Sequence, residues 1–187
     1  MALTTLDPTP ALIVIDLQKG IVGLPIAPPA ADVIRNAAVL TAGFRRANHP
    51  VVLVNVDGRA PGRTEESRVG GSFPPDFAEL IPELDPQPKD IYVTKQRIGA
   101  FTGTDLDARL RALGVTQVVI VGVATSSGVE ATARAAYELG YHVVTVVDAV
   151  ADLDQTMHDH SVARIFPKIG ERTTTAELLA RLNGVVA

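Results

Sequence analysis

Apolar and polar positions divide the chain into two kinds of segment. Short, almost unbroken apolar runs occupy residues 11–16 (ALIVID), 51–56 (VVLVNV), 91–94 (IYVT), 117–123 (QVVIVGV) and 142–147 (HVVTVV). Runs of this length without in-and-out alternation predict strands covered on both faces, as in a parallel sheet. Between them, apolar residues recur at helical spacing, predicting helices at about 31–47, 104–113, 127–139, 156–166 and 174–182. Thr104, with Asp107 three residues on, reads as the N-cap of the second helix, and Gly114 and Gly140 stop the second and third. A sixth, short strand is expected near Glu171 to Thr173. Strand and helix alternate throughout, which predicts a single α/β domain spanning residues 1–187. Its architecture is a three-layer αβα, doubly wound sheet of about six parallel strands in the order 3-2-1-4-5-6.

Composition narrows the function classes. A chain of 187 residues that is 47% hydrophobic and 20% charged builds one ordinary core rather than a disordered or low-complexity polymer. The formal net charge is −4 and no basic cluster exceeds Arg45-Arg46, which argues against a nucleic-acid partner. Cysteine is absent, excluding a disulfide framework, a thiolate zinc site and a cysteine nucleophile together. The first ten residues lack the features of a signal peptide, and no apolar run approaches the ~18 residues that span a bilayer. The expectation is a soluble, cytoplasmic protein with no membrane partner.

In an open α/β sheet, ligands bind outside the carboxyl ends of the strands, so polar residues there carry the most information. Asp16 ends the first run, Lys95 follows the third, and Ala124-Thr125-Ser126-Ser127-Gly128 leaves the fourth and enters a helix. A carboxylate, an ammonium and a helix N-terminus are thereby placed at one edge of the sheet. Each has a plainer reading: Asp16 as a loop cap, Lys95 as a solvated charge, the hydroxyls as helix caps. The long irregular stretch at 57–87 carries Arg59, Arg63 and Arg68, suited to contacting a substrate carboxylate or to sitting in solvent. Gln18, Phe101 and Tyr92 either line a pocket or pack the strand ends. His158 and His160, two apart, do not share a helix face, so no metal site is expected. Neither G-x-G-x-x-G nor G-x-x-x-x-G-K-[ST] occurs, which removes the usual nucleotide cradles and leaves no expected cofactor.

The ordered set of residues 11–18, Lys95 with Gly99-Ala100-Phe101-x-Gly103-Thr104-x-Leu106, Gly122-Val123-Ala124-Thr125-Ser126 with Val129-Glu130-Ala131-Thr132-Ala133-Arg134, and Asp148-Ala149 resembles the isochorismatase-like (cysteine hydrolase) superfamily over nearly the whole chain. The resemblance implies a six-stranded parallel sheet and an Asp, Lys and Cys site that hydrolyses small amides or related bonds. Asp16 matches the family acid/base and Lys95 the family lysine, while the nucleophile's position falls on Gly128, which has no side chain to attack with. The family's metal motif, an Asp followed by two histidines, meets Asp57-Gly58-Arg59 here. By the same resemblance a non-prolyl cis peptide is expected at Val123 to Ala124, and a homo-oligomer, dimer or tetramer, is expected in solution.

The leading expectation is a small-molecule hydrolase without metal, cofactor or cysteine, in which Asp16 and Lys95 carry the chemistry. Asp16 either protonates a vinyl ether, as the resemblance to strict isochorismatases implies, or activates a water. Protonation needs a neutral Asp16 near pH 7, which burial favours and the Lys95 charge opposes. Substrate contacts are expected from Gln18, Arg59, Phe101, Ala124, Thr125, Ser126 and Ser127. Two alternatives stand beside it: an inactive family member that binds a small ligand or protein partner, and an amidase with a serine nucleophile, Ser127 being the nearest hydroxyl to the empty position.

Overall fold

The computed structural model describes residues 3–65 and 73–184; Arg68 lies outside the described residues. Six parallel strands, β1 (Pro10–Ile15), β2 (Val51–Val56), β3 (Ile91–Lys95), β4 (Gln117–Val123), β5 (His142–Ala151) and β6 (Glu171–Thr173), pair in the order β3-β2-β1-β4-β5-β6. The expected strand order and architecture are both present. The helices are α1 (Lys19–Val22), α2 (Ala30–Arg46), α3 (Leu106–Ala112), α4 (Glu130–Glu138), α5 (Gln155–His160), α6 (Phe166–Ile169) and α7 (Thr175–Leu182).

The unbroken apolar runs have the predicted cause. Every residue of β1 and β4 is buried, because both strands lie in mid-sheet with helices on either face. Successive side chains point to opposite faces and so feed two cores. Ala11, Ile13 and Ile15 pack with Leu106 and Leu110 of α3 and Ala133 of α4, while Leu12 and Val14 pack with Leu40 and Phe44 of α2 and Leu178 of α7. Among the described residues no helix is long and apolar enough to cross a membrane.

Three helix expectations need correction. The helix expected at 104 starts at Leu106 with Asp105 as its cap residue; the Thr104 hydroxyl donates to Ala100 O at 2.6 Å, closing the turn before the helix, and accepts from the Leu106 amide at 3.4 Å. The helix expected at 127–139 opens with a five-residue π-helical turn, Thr125–Val129, before α4. The one expected at 156–166 is interrupted by a second such turn, Ser161–Ile165, between α5 and α6. A π turn widens the backbone helix while leaving the surrounding apolar pattern nearly helical, so periodicity does not register it. Strand β5 also runs four residues past its apolar run, through a register shift against β4 between Ile120 and Gly122.

Candidate active site

The site forms where the chain order of the sheet reverses, at the carboxyl ends of β1 and β4, with β2 and β3 completing one flank. Asp16 follows β1 directly with φ +52°, and its amide donates to Val54 O at 2.9 Å, so its position is set by β2. Lys95 is the last residue of β3. Its Nζ donates to Asp16 Oδ2 at 2.7 Å, a contact whose side chains are only 3% and 8% exposed. Asp16 Oδ1 is buried with no hydrogen-bond partner. Burial pushes the Asp16 carboxyl up to about 6, against the opposing charge and hydrogen bond of Lys95. Desolvation wins, because one cation cannot replace the water that both oxygens lose.

On the other flank, β4 leaves the sheet through a cis peptide at Val123 to Ala124, as the resemblance implies, and enters the first π turn. Three side chains from elsewhere hold that turn. Asp152 Oδ2 accepts from the Ser126 amide at 2.6 Å, His158 Nδ1 shares a 2.9 Å hydrogen bond with the Thr125 hydroxyl, and the Thr132 hydroxyl donates to Gly128 O at 2.6 Å. Burial lowers the His158 pKa, the nearby Asp159 and Asp152 partly opposing it, so the ring is neutral near pH 7. A Cβ built on Gly128 would lie 3.3 Å from Asp16 Oδ2 and 3.0 Å from Ile15 Cγ2. Position 128 therefore adjoins the carboxylate, and a methyl there already meets Ile15 closely.

A cavity of about 520 Å³ opens over these groups. Asp16, Lys95, Gly128, Ala124, Ser127 and Arg59 line it, which brings together six of the residues singled out from sequence. Gln18, Phe101, Thr125 and Ser126 are not among its lining residues, and each is spent on the scaffold. The Gln18 amide donates to Val56 O and Phe77 O and accepts from Val56 N, splinting β1 to β2 and to the long loop. Phe101 stacks on Tyr141 in the core, and Tyr92 is an exposed edge-strand residue bonded to Gln87 O. Arg97 and Ile98 line the cavity and escaped sequence reasoning, although the strand-end rule that selected Lys95 extends to the next residues of the same loop. Asp152 and His158 carry no motif, and His158 is the one buried residue of α5. Among the described residues no group of three His, Cys, Asp or Glu side chains converges to hold a metal ion. Asp57-Gly58-Arg59 lacks the imidazoles that the family's metal motif would need, so no step here is routed through a metal.

A doubly wound sheet with a buried carboxylate–ammonium pair at its reversal point defines an α/β enzyme site. The family model described as the isochorismatase domain matches residues 10–177. An uncharacterized isochorismatase family protein, YwoC, of Bacillus subtilis (strain 168) is 42% identical over 180 residues, covering 92% of this chain and 93% of that protein. The streptothricin hydrolase of Streptomyces noursei is 38% identical over 145 residues, 77% of this chain but 50% of the relative. The solved structure of an isochorismatase family protein from Burkholderia thailandensis superposes with a TM-score of 0.92 at 41% identity, covering 96% and 98% of the two chains. The chain belongs to the isochorismatase family and is a hydrolase of that family.

Proposed function

We propose that this hydrolase cleaves a small molecule by proton transfer at Asp16, without a nucleophile from the protein and without metal or cofactor. The observation that carries this reading is the buried Asp16 carboxyl, whose Oδ1 has no hydrogen-bond partner and whose Oδ2, held by Lys95, faces a residue that has no side chain. An orphaned buried acceptor is costly, and a proton on the carboxyl relieves that cost. With its pKa raised to about 6, Asp16 exchanges that proton near neutral pH. Protonation of a vinyl-ether carbon yields an oxocarbenium-like centre that water captures, and the Asp16 carboxylate recovers a proton as the adduct collapses. Lys95 Nζ stays on Oδ2 through the cycle and stabilises the carboxylate when it forms.

Ser127 lines the cavity, but its hydroxyl meets no base among the described residues, which favours a route without a serine nucleophile. The same reading keeps a small-molecule partner, a cytoplasmic setting and a homo-oligomer as its corollaries.

Turnover of isochorismate and of a panel of small amides, measured for wild type, Asp16→Asn and Lys95→Ala with folding checked by circular dichroism, tests the proposal. Asp16→Asn is expected to lose at least about 100-fold in kcat. A rate that falls as pH rises through about 6 identifies Asp16 as the acid, and one that rises identifies it as a base activating water. Because Lys95 holds the Asp16 pKa down, Lys95→Ala moves the inflection to higher pH. Activity indifferent to Asp16→Asn overturns the role of Asp16, and no turnover of any substrate favours the ligand-binding alternative.

A further inference from the structure

Among the described residues, the ionisable groups lining the cavity are Asp16, Arg59, Lys95 and Arg97, three cations to one acid. Lys95 is committed to Asp16. The two arginines stand differently. Outside the cavity, Arg35, Arg45, Arg109, Arg111 and Arg134 each sit within ion-pair distance of a carboxylate, while among the described residues Arg46, Arg63, Arg164, Arg172 and Arg181 have no such partner. Among the described residues neither Arg59 nor Arg97 has such a partner. Arg59 lies over the face of Phe73, its guanidinium carbon 5.3 Å from the ring centroid, and Arg97 donates only to the neighbouring Gln96 carbonyl, at 3.2 Å.

Both arginines are exposed, and a solvated guanidinium needs no ligand to explain it. Their placement says more. The loops that carry them leave adjacent strands and are joined, Asp57 N donating to Lys95 O at 3.2 Å and Gly58 packing against the Gln96 side chain. The Phe73 ring gives Arg59 a surface to rest on, which reduces the freedom it would lose on gripping a ligand. Two charged forks thus stand on the β2–β3 flank, while Asp16 and Gly128 stand on the β1–β4 flank. The walls between and around them include Ile21, Val56, Ile98, Val123 and Leu153.

We propose that the substrate is a carboxylate-bearing molecule with an apolar body, its carboxylate held by Arg59 and Arg97 while its hydrolysable bond lies over Asp16 and Gly128. The placement of that bond rests on the hydrolase reading above; the carboxylate clamp does not. Guanidinium forks match a carboxylate's two oxygens and bind it by charge-assisted hydrogen bonds. Adjacent strands lie about 4.8 Å apart, so the two flanks are separated by roughly 5–10 Å, the length of one ring or a short chain. Arg97 becomes a specificity-determining residue of the site.

Calorimetric titration with benzoate and with benzamide, its neutral counterpart of nearly the same shape, tests the clamp without requiring turnover. Wild type is expected to bind benzoate at least about tenfold tighter than benzamide at low salt, with the preference shrinking as salt is added. Arg59→Gln and Arg97→Gln each reduce that preference, and the double variant abolishes it while leaving benzamide binding unchanged. Asp16→Asn keeps it. The clamp is overturned if benzoate binds no better than benzamide, counting undetectable binding of both below about 10 mM as that result, or if the preference survives in the double variant. Intact benzoate selectivity with no turnover sinks the hydrolase reading and leaves the clamp standing; turnover lost in Asp16→Asn without selectivity does the reverse.

Discussion

A single carboxylate shows how a residue acquires chemistry from its neighbours. Asp16 in the native protein keeps its proton to about pH 6, whereas an unfolded aspartate releases it near its ordinary value of 3.8. Between those limits the native state binds more protons than the unfolded one, so stability falls as pH rises and the loss is complete above about 6. The Asp16 contribution amounts to about 3 kcal/mol at full ionisation. Urea unfolding at intervals from pH 4 to 8 checks this: the downward slope is present in wild type and its Asp16 share is missing from Asp16→Asn. Gly128 invites a complementary experiment. Alanine there gains helix propensity but places a methyl 3.0 Å from Ile15 Cγ2 and 3.3 Å from Asp16 Oδ2. Gly128→Ala is expected to change stability by no more than about 1 kcal/mol, while the methyl takes the space beside the carboxylate and lowers turnover at least about tenfold. Comparable losses of stability and of rate would mark Gly128 as a packing residue only.

At the scale of elements, the approach of β4 to β1 depends on Gly122. Its φ of +118° is a conformation L side chains rarely adopt, and a Cβ there would fall 2.0 Å from Ile15 O, inside the backbone of the neighbouring strand. That contact lies one residue before Asp16 and one before the cis peptide, so it sets the distance between the two flanks of the site. Gly122→Ala is expected to cost at least about 3 kcal/mol and to lower the urea midpoint accordingly, with a soluble variant of wild-type stability as the contrary result. The strands themselves were legible because burial on both faces leaves continuous apolar runs. The π turns at Thr125–Val129 and Ser161–Ile165 were not, and the first presents Ala124, Ser127 and Gly128 to the cavity while turning Thr125 and Ser126 toward His158 and Asp152. Sequence adjacency had assigned Ala124, Thr125, Ser126 and Ser127 alike to substrate, and Gly128 to the empty nucleophile position; the pitch of the turn sorts them.

Over the whole molecule, one sheet divides the interior into two apolar layers that share no side chains but share the strands β1, β2, β4 and β5. Leu12 and Ile13 are both fully buried and face opposite layers. Each truncated to alanine is expected to cost about 2–5 kcal/mol. A urea titration that shows one cooperative transition for both variants, shifted to lower midpoint with unchanged slope, supports a single unit; separate transitions would divide the layers into independent ones. The sequence by itself determined the number and kind of the main elements, the parallel sheet and the absence of a cysteine nucleophile, because hydrophobic period and residue identity are local properties. Tertiary structure decided that Lys95 meets Asp16 across 79 residues of chain, that burial outweighs that lysine in setting the carboxyl's pKa, and that Gln18 serves the scaffold. These are properties of environment, and the environment of each group is supplied by segments distant in sequence, brought together only when the sheet is complete.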